Sequence, residues 1–454
     1  MNATAPAAIA DIRDDLARGR RTVRQVVNDS RARIAALNEK YRAFSHLASD
    51  VDGRVAALQD ELDAGKARSP LHGLAVSIKG NIPVMGLPWT EGSAIFRERI
   101  AAHDAGIVAQ VRAAGGVVLG TTTLSELAMY GVTNPFEPMG LNPWTVERTA
   151  GGSSTGAALA AALGMASVNI GTDSGGSIRN PACHCGVVGF MPKIGALTLE
   201  GTPNRAPSLS TVGLIGRSVA DVEISYRVLA APSAPPEEPK RRLLVLRSLV
   251  DSMCDEETRA LFGSALERLL AAGFVVIDGD VAGWLEGERA AGIISLHEGG
   301  RALSLMDLSH ASNGIRSRAA MAARLSGEQV DAARRACLLL RKGVAEALDR
   351  EQADAIVTPT WPFPAPRVDA DTAVVRTNVV PIDPHRNCFV RAANAMDACA
   401  ITLPMGMYPG ARVPAGLHLV ANGGSELRLL TLARSIEAAL PVIPAPPPLQ
   451  AFTS

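Results

Sequence analysis

The sequence predicts an α/β fold, and three observations carry that prediction. Short apolar runs of strand length alternate with capped helical segments from residue 74 to residue 439. An apolar fraction of 47% and 42 glycines suit a compact chain rather than a disordered one. At 454 residues the chain is long enough to bury a large core.

Residues 1–66 read as a helical layer. Thr22 is a good N-cap for a helix over Val23–Leu37, with Val26, Val27, Ile34 and Leu37 on one side. A second helical pattern covers Val51–Leu62 and stops before Gly65. Residues 67–454 read as the α/β core on which these helices pack, so the whole is effectively one domain. Leu74–Ile78 is an apolar strand ending at Lys79, and Gly80-Asn81 is a turn. A lysine at the carboxyl end of a buried strand faces the crevice where α/β sheets hold ligands. Asp104–Ala114 is helical, Gly115–Leu119 a strand and Leu124–Tyr130 a helix. Pro135 to Pro143 is a proline-punctuated loop. Ser218 caps a helix over Val219–Ala230, and the proline-rich Ala231–Pro239 reads as a linker. Arg242–Arg247 and Phe274–Ile277 are strands flanking a helix over Glu256–Ala272. Val330–Arg350 is a long helix and Ala355–Val357 a strand. Cys399–Leu403 and Gly416–Ala421 are strands, Ser425–Ala439 is the closing helix, and Pro444–Pro448 reads as a tail.

Composition excludes several classes. Lys+Arg and Asp+Glu both number 45, so the net charge is zero, which argues against a nucleic-acid partner. The N-terminal MNATAPAAIADIRDDLARGRR is interrupted by acids and does not read as a secretory signal. The longest apolar stretch, Ala157–Leu163, is far below the ~20 residues of a membrane span. Six cysteines in so long a chain are no disulfide framework, and a reducing cytoplasm is the expected compartment. Cys183-His184-Cys185 invites a metal reading. No second ligand pair follows at zinc spacing, so neither metal nor cofactor is expected.

The chemistry concentrates in Glu147–Met191, which holds two glycine turns, Gly151-Gly152-Ser153-Ser154 and Ser174-Gly175-Gly176-Ser177. Thr172–Gly176 mimics the nucleophile segment of trypsin-like proteases, but that family is all-β. Gly151–Gly156 hints at a phosphate loop, yet Ala157-Ala158 follows where a Walker loop needs Lys-Ser/Thr. Serine catalysis needs a base, oxyanion donors and a proton for the leaving group. Glycines let successive N–H groups of the second turn converge. None of the eight histidines announces a Ser-His-Asp site. Lys79 is a candidate base if burial lowers its pKa.

Laid together, these motifs resemble the amidase signature family of Ser-cisSer-Lys hydrolases. Its glycine-serine signature falls on Gly151–Gly156 and on Gly171–Ala182, with the serines 24 positions apart at 153 and 177. Gly73–Lys79 matches the family's lysine strand. Weaker matches include Asn142-Pro143-Trp144, Thr358-Pro359 and Leu403–Gly406, so the resemblance covers roughly 20–440. It implies a large mixed central β-sheet covered by helices on both faces. It implies Ser177 as nucleophile, Ser153 as the bridging serine after a cis peptide and Lys79 as the neutral base. The N–H groups of Ser174, Gly175, Gly176 and Ser177 would form the oxyanion hole, and Ser154 would support the network. Arg179 reads either as a contact to a substrate carboxylate or as the partner of a local acid. Arg391 and Tyr130 are further candidate substrate contacts. Departures are Thr155 for a common glycine, Gly80 for a common aspartate and His418 for a frequent glutamine. The first implied activity is hydrolysis of a small carboxamide or urea-type amide, with no membrane partner and room for a homodimer. The alternative is the glutaminase component of a tRNA-dependent amidotransferase, which needs a companion protein.

Overall fold

The computed structural model describes residues 6–129, 134–232, 235–375, 378–385 and 387–453. Thirteen strands are present among them: β1 Phe44–Leu47, β2 Ala75–Lys79, β3 Val117–Thr122, β4 Val168–Asp173, β5 Val188–Met191, β6 Thr211–Gly216, β7 Arg242–Val245, β8 Val275–Asp278, β9 Ala355–Pro359, β10 Thr372–Val375, β11 Asn378–Pro381, β12 Cys399–Met407 and β13 Pro414–Ala421. Eleven form one mixed sheet in the order β1-β3-β2-β4-β6-β5-β12-β13-β9-β7-β8, and β10-β11 form a separate hairpin. β2 runs parallel to both β3 and β4, while β4-β6, β6-β5 and β5-β12 are antiparallel. The central strands β2, β3, β4, β6 and β13 are buried along their whole length, as helices covering the sheet require. The α/β prediction and the mixed sheet therefore hold.

Most elements lie where the periodicity puts them. Thr22 caps Val23–Tyr41 in a capping box with Gln25, and the helix runs on to a left-handed Arg42. Ser218 Oγ accepts from Asp221 N at the start of Val219–Leu229. Four differences have physical causes. Residues 1–66 are not purely helical, because β1 pairs with β3 at the sheet edge. The helix expected over Leu124–Tyr130 is only a 3-10 turn at Glu126–Ala128, with Leu127 and Ala128 at φ 53° and 56°. Buried Glu126 holds it there, accepting from Ser93 Oγ at 2.8 Å and from Ser312 N at 3.3 Å. Tyr130 lies outside the described residues. The expected tail turns into a short helix at Pro447–Thr453. The long helix Trp284–Leu303 leaves little trace in the sequence, because Gly287, Ala290, Ala291, Gly292, Gly299 and Gly300 dilute its apolar period. No helix among the described residues is long and apolar enough to cross a membrane.

The helix Thr155–Ala162 lies buried under β2, β3 and β4, and every one of its residues is covered. Small side chains allow that approach. A Cβ on Gly156 would collide with Ala43 O and stand 2.5 Å from Thr123 N, both backbone atoms that cannot swing aside. Gly156→Ala is accordingly expected to cost about 1–3 kcal/mol through overpacking. Urea denaturation reads this out, and an unchanged midpoint would contradict the close approach.

Candidate active site

β2 and β4 run side by side; β2 ends at Lys79, and β4 continues past that level to Asp173. The turn before Thr155 and the turn after β4 meet above those ends. Ser154 N donates to Ser177 O at 3.0 Å, which fastens one turn to the other. Ser154 Oγ donates to Thr172 O at 3.1 Å. The Gly152–Ser153 peptide bond is cis. A cavity of about 210 Å3 opens here, lined by Ser153, Thr172, Ser174, Gly175 and Ser177 among others.

Lys79 is fully buried behind Ser153. Its Nζ lies 2.7 Å from Ser153 Oγ, 2.8 Å from Thr172 Oγ1 and 3.1 Å from Thr172 O. Burial pushes its pKa down to about 7, with the Asp173 carboxylate pulling the other way. A neutral amine has two hydrogens and one lone pair. The Thr172 carbonyl can only accept, so the lone pair is left for a hydroxyl, and the shortest contact is Ser153. The site thus suits a lysine that takes a proton from Ser153. Thr172 seats the amine and is itself reached by Asn81 Nδ2 at 3.3 Å. In the sequence Thr172 figures only as part of a motif, although its place at the end of β4 beside Lys79 is a usable signal.

Asp173 organises the second turn. Its carboxylate accepts from Gly175 N at 3.1 Å, Gly176 N at 2.7 Å and Ile178 N at 2.9 Å. Asn394 Nδ2 and Arg179 Nη2 add contacts of 3.0 Å each. Burial alone would raise this carboxyl, but Arg179 and the backbone donors hold it well below the usual range. Two of the expected oxyanion donors, Gly175 and Gly176, therefore already serve Asp173. Asp173 takes no N–H from Ser174 or Ser177. Ser177 lines the cavity, and its Oγ forms no hydrogen bond among the described residues.

Arg179 is the partner of a local acid and does not reach the cavity. It is fully buried and also donates to Val390 O at 2.7 Å and Asn394 Oδ1 at 2.6 Å. Its Nη1 stands 3.1 Å from His418 Nε2. An arginine only donates, so that ring nitrogen accepts and the proton sits on Nδ1. Arg391, in contrast, lines the cavity and packs over Gly175. The departures are also accounted for by packing. A Cβ on Gly80 would stand 2.9 Å from Thr122 O, so an aspartate has no room. Thr155 Oγ1 donates to Gly151 O at 2.6 Å and closes the first turn.

His184 lines the cavity between Trp361, at 4.7 Å between ring centroids, and Gly151. Burial pushes its pKa to about 3, so it is neutral. It enters the sequence reading only as a metal candidate. Burial also drives the Cys183 thiol up to about 12 and the Cys185 thiol higher, against the thiolate a metal needs. Asp173→Asn would leave Arg179 buried beside an uncharged amide. A loss of about 3–5 kcal/mol in urea unfolding is expected, and a loss below about 1 kcal/mol would contradict the central role of the pair.

Residues 25–430 match the family model Amidase. The A component of the glutamyl-tRNA(Gln) amidotransferase of Synechococcus sp. (strain WH7803) is 30% identical over 97% of this chain and 98% of its own length. A crystal structure of an amidase superposes with a TM-score of 0.90 at 27% identity, covering 96% of this chain and 100% of the other. The peptide amidase of Stenotrophomonas maltophilia superposes with a TM-score of 0.80 at 26% identity, covering 97% and 98%. With the family model matched over 25–430 and the fold shared along nearly the whole length, the chain belongs to the amidase signature family of hydrolases acting on carbon–nitrogen bonds.

Proposed function

We propose that the protein is a free-standing amidase that cleaves a small carboxamide or urea-type bond through an acyl-enzyme on Ser177. The observation that carries the amide-cleaving chemistry, common to this reading and the next, is the buried Lys79, with a pKa of about 7, set 2.7 Å from Ser153. Ser177 Oγ attacks the carbonyl carbon, its proton passes to Ser153, and the Ser153 proton passes to neutral Lys79. The oxyanion would meet the N–H groups of Ser174 and Ser177, which make no hydrogen bond to Asp173, while Gly175 and Gly176 hold the turn in shape. Ser153 then delivers a proton to the departing nitrogen and recovers one from Lys79. The C–N bond breaks, ammonia or an amine leaves, and the acyl group remains as an ester on Ser177. Water enters by the same relay, and the carboxylate product is released. Ser177 Oγ must approach Ser153 for the first transfer, a tightening that substrate binding commonly supplies.

The second reading is the glutaminase component of a tRNA-dependent amidotransferase, favoured by relatives such as that of Synechococcus. Ammonia release by the purified chain separates the two. A free amidase turns over small amides alone. Hydrolysis restricted to glutamine and dependent on a companion protein would sink the first reading.

The pH dependence follows from the lysine. Its neutral form grows as pH rises through about 7. The rate should therefore fall on the acid side of about 7 and level off above it, and a profile flat from pH 5 to 8 would contradict the neutral base. Ser177→Ala should lower kcat/KM by more than about 10³-fold, and Ser153→Ala or Lys79→Ala by about 10²–10⁴-fold, each with folding retained by circular dichroism.

A further inference from the structure

The cavity has a charge pattern that the proton relay does not use. Among the described residues, Arg205, Arg318, Arg367 and Arg391 line it, and no aspartate, glutamate or lysine does. Three of these arginines belong to one wall, built on the helix Trp284–Leu303. Glu288, Gly292, Ser295 and Gly299 fall on one face of that helix at spacings of four, three and four. Arg391 Nη1 donates to Glu288 Oε1 at 2.8 Å and lies against Gly292, where a Cβ would stand 3.0 Å away. One step along, Arg318 Nη2 donates to Ser295 Oγ at 2.9 Å and Ser295 O at 3.0 Å, beside Gly299. The loop bearing Arg205 docks on the same helix, with Ala206 and Leu209 packed on Ala290, Ala291 and Ile294. Gly292 and Gly299 leave room for the Arg391 and Arg318 guanidinium groups against the helix.

The nearest acids are ion-pair partners of the lining arginines, Glu91 for Arg205, Glu288 for Arg391, and Glu147 and Asp369 for Arg367. Glu91 is fully buried and is shared by Arg205 and Arg99, whose Nη2 is 2.6 Å away. One carboxylate thus faces two guanidinium groups. Glu288 is buried behind Arg391, and Glu298 turns away to Ser208 N at 3.1 Å. A cleft lined by one sign of charge raises the local concentration of the opposite sign. Guanidinium forks match carboxylate geometry. Arg391 packs over Gly175 on the nucleophile's turn, whereas the departing nitrogen must face Ser153. The positive wall consequently lies toward the acyl part of a substrate.

We infer that the substrates are short amides or ureides whose acyl part carries a carboxylate, held by Arg318 and Arg391 on the Trp284–Leu303 wall. This rests on Ser177 being the nucleophile. It also disfavours a zwitterion such as glutamine, whose ammonium would meet guanidinium groups and no lining acid. The probes are isosteric pairs, malonamate beside malonamide and succinamate beside succinamide, titrated calorimetrically into Ser177→Ala protein. Binding is thereby measured without chemistry. At least one anion should bind about tenfold or more tighter than its diamide. Arg318→Gln and Arg391→Gln should each erase most of that preference, and Arg318→Lys, which keeps the charge, should retain part of it. Equal binding within both pairs, no binding of either anion at millimolar concentration, or a preference that survives both glutamine variants would overturn the inference. Turnover of the same compounds by the unmodified protein tests the amidase reading separately: a preference for anions without any amide hydrolysis would sink that reading and leave the anion site standing.

Discussion

The arrangement depends on one buried carboxylate. Asp173 ends a central strand, has no access to water, and gathers three backbone N–H groups, one arginine and one asparagine. An ionised acid survives such burial only when its lone pairs are filled. Filling them fixes the conformation of residues 174–178, and so fixes where Ser177 stands. Arg179 carries the constraint outward through Val390 O, Asn394 and His418 to the later part of the chain. The same negative charge partly offsets the desolvation of Lys79, leaving that amine poised near neutrality rather than far below it.

Burying Lys79 has a thermodynamic consequence. Its pKa is 10.5 in an exposed chain and about 7 in the fold. Between those values the unfolded chain binds more protons, so stability rises with pH across that window. Below pH 7 the penalty is on the order of 5 kcal/mol, from about 1.4 kcal/mol per pH unit. A large, well-packed sheet is what offsets it. Basicity near neutral pH and a stability cost in acid are thus two results of the same burial.

Much of this was legible in the sequence. The strand ending at Lys79 followed from an apolar run, the two glycine turns marked Ser153 and Ser177, and the roles assigned to those serines came from the family resemblance. What stayed hidden was carried by contacts distant in the chain. Asp173 is only six positions from Arg179, but its other partners, Val390, Asn394 and His418, lie 211 to 239 positions away, so its role as a structural anchor could not be separated from substrate binding. Asp173's claim on Gly175 and Gly176 depends on a side-chain rotamer inside a turn, which no spacing encodes. The helix Trp284–Leu303 escaped because glycine and alanine occupy the positions that would mark an apolar stripe. Those small residues are the ones that seat the cavity arginines. Packing requirements thus erased the periodic signal where the site needed close approach.

The proposed chemistry turns on an acyl group passing through Ser177. Its most direct test is rapid quenching of the unmodified protein with a hydrolysed amide, followed by peptide mass spectrometry. A transient ester is expected on the peptide bearing Ser177, formed no later than the released ammonia or amine. Ammonia or amine release with no adduct at any time, or an adduct on another residue, would contradict it.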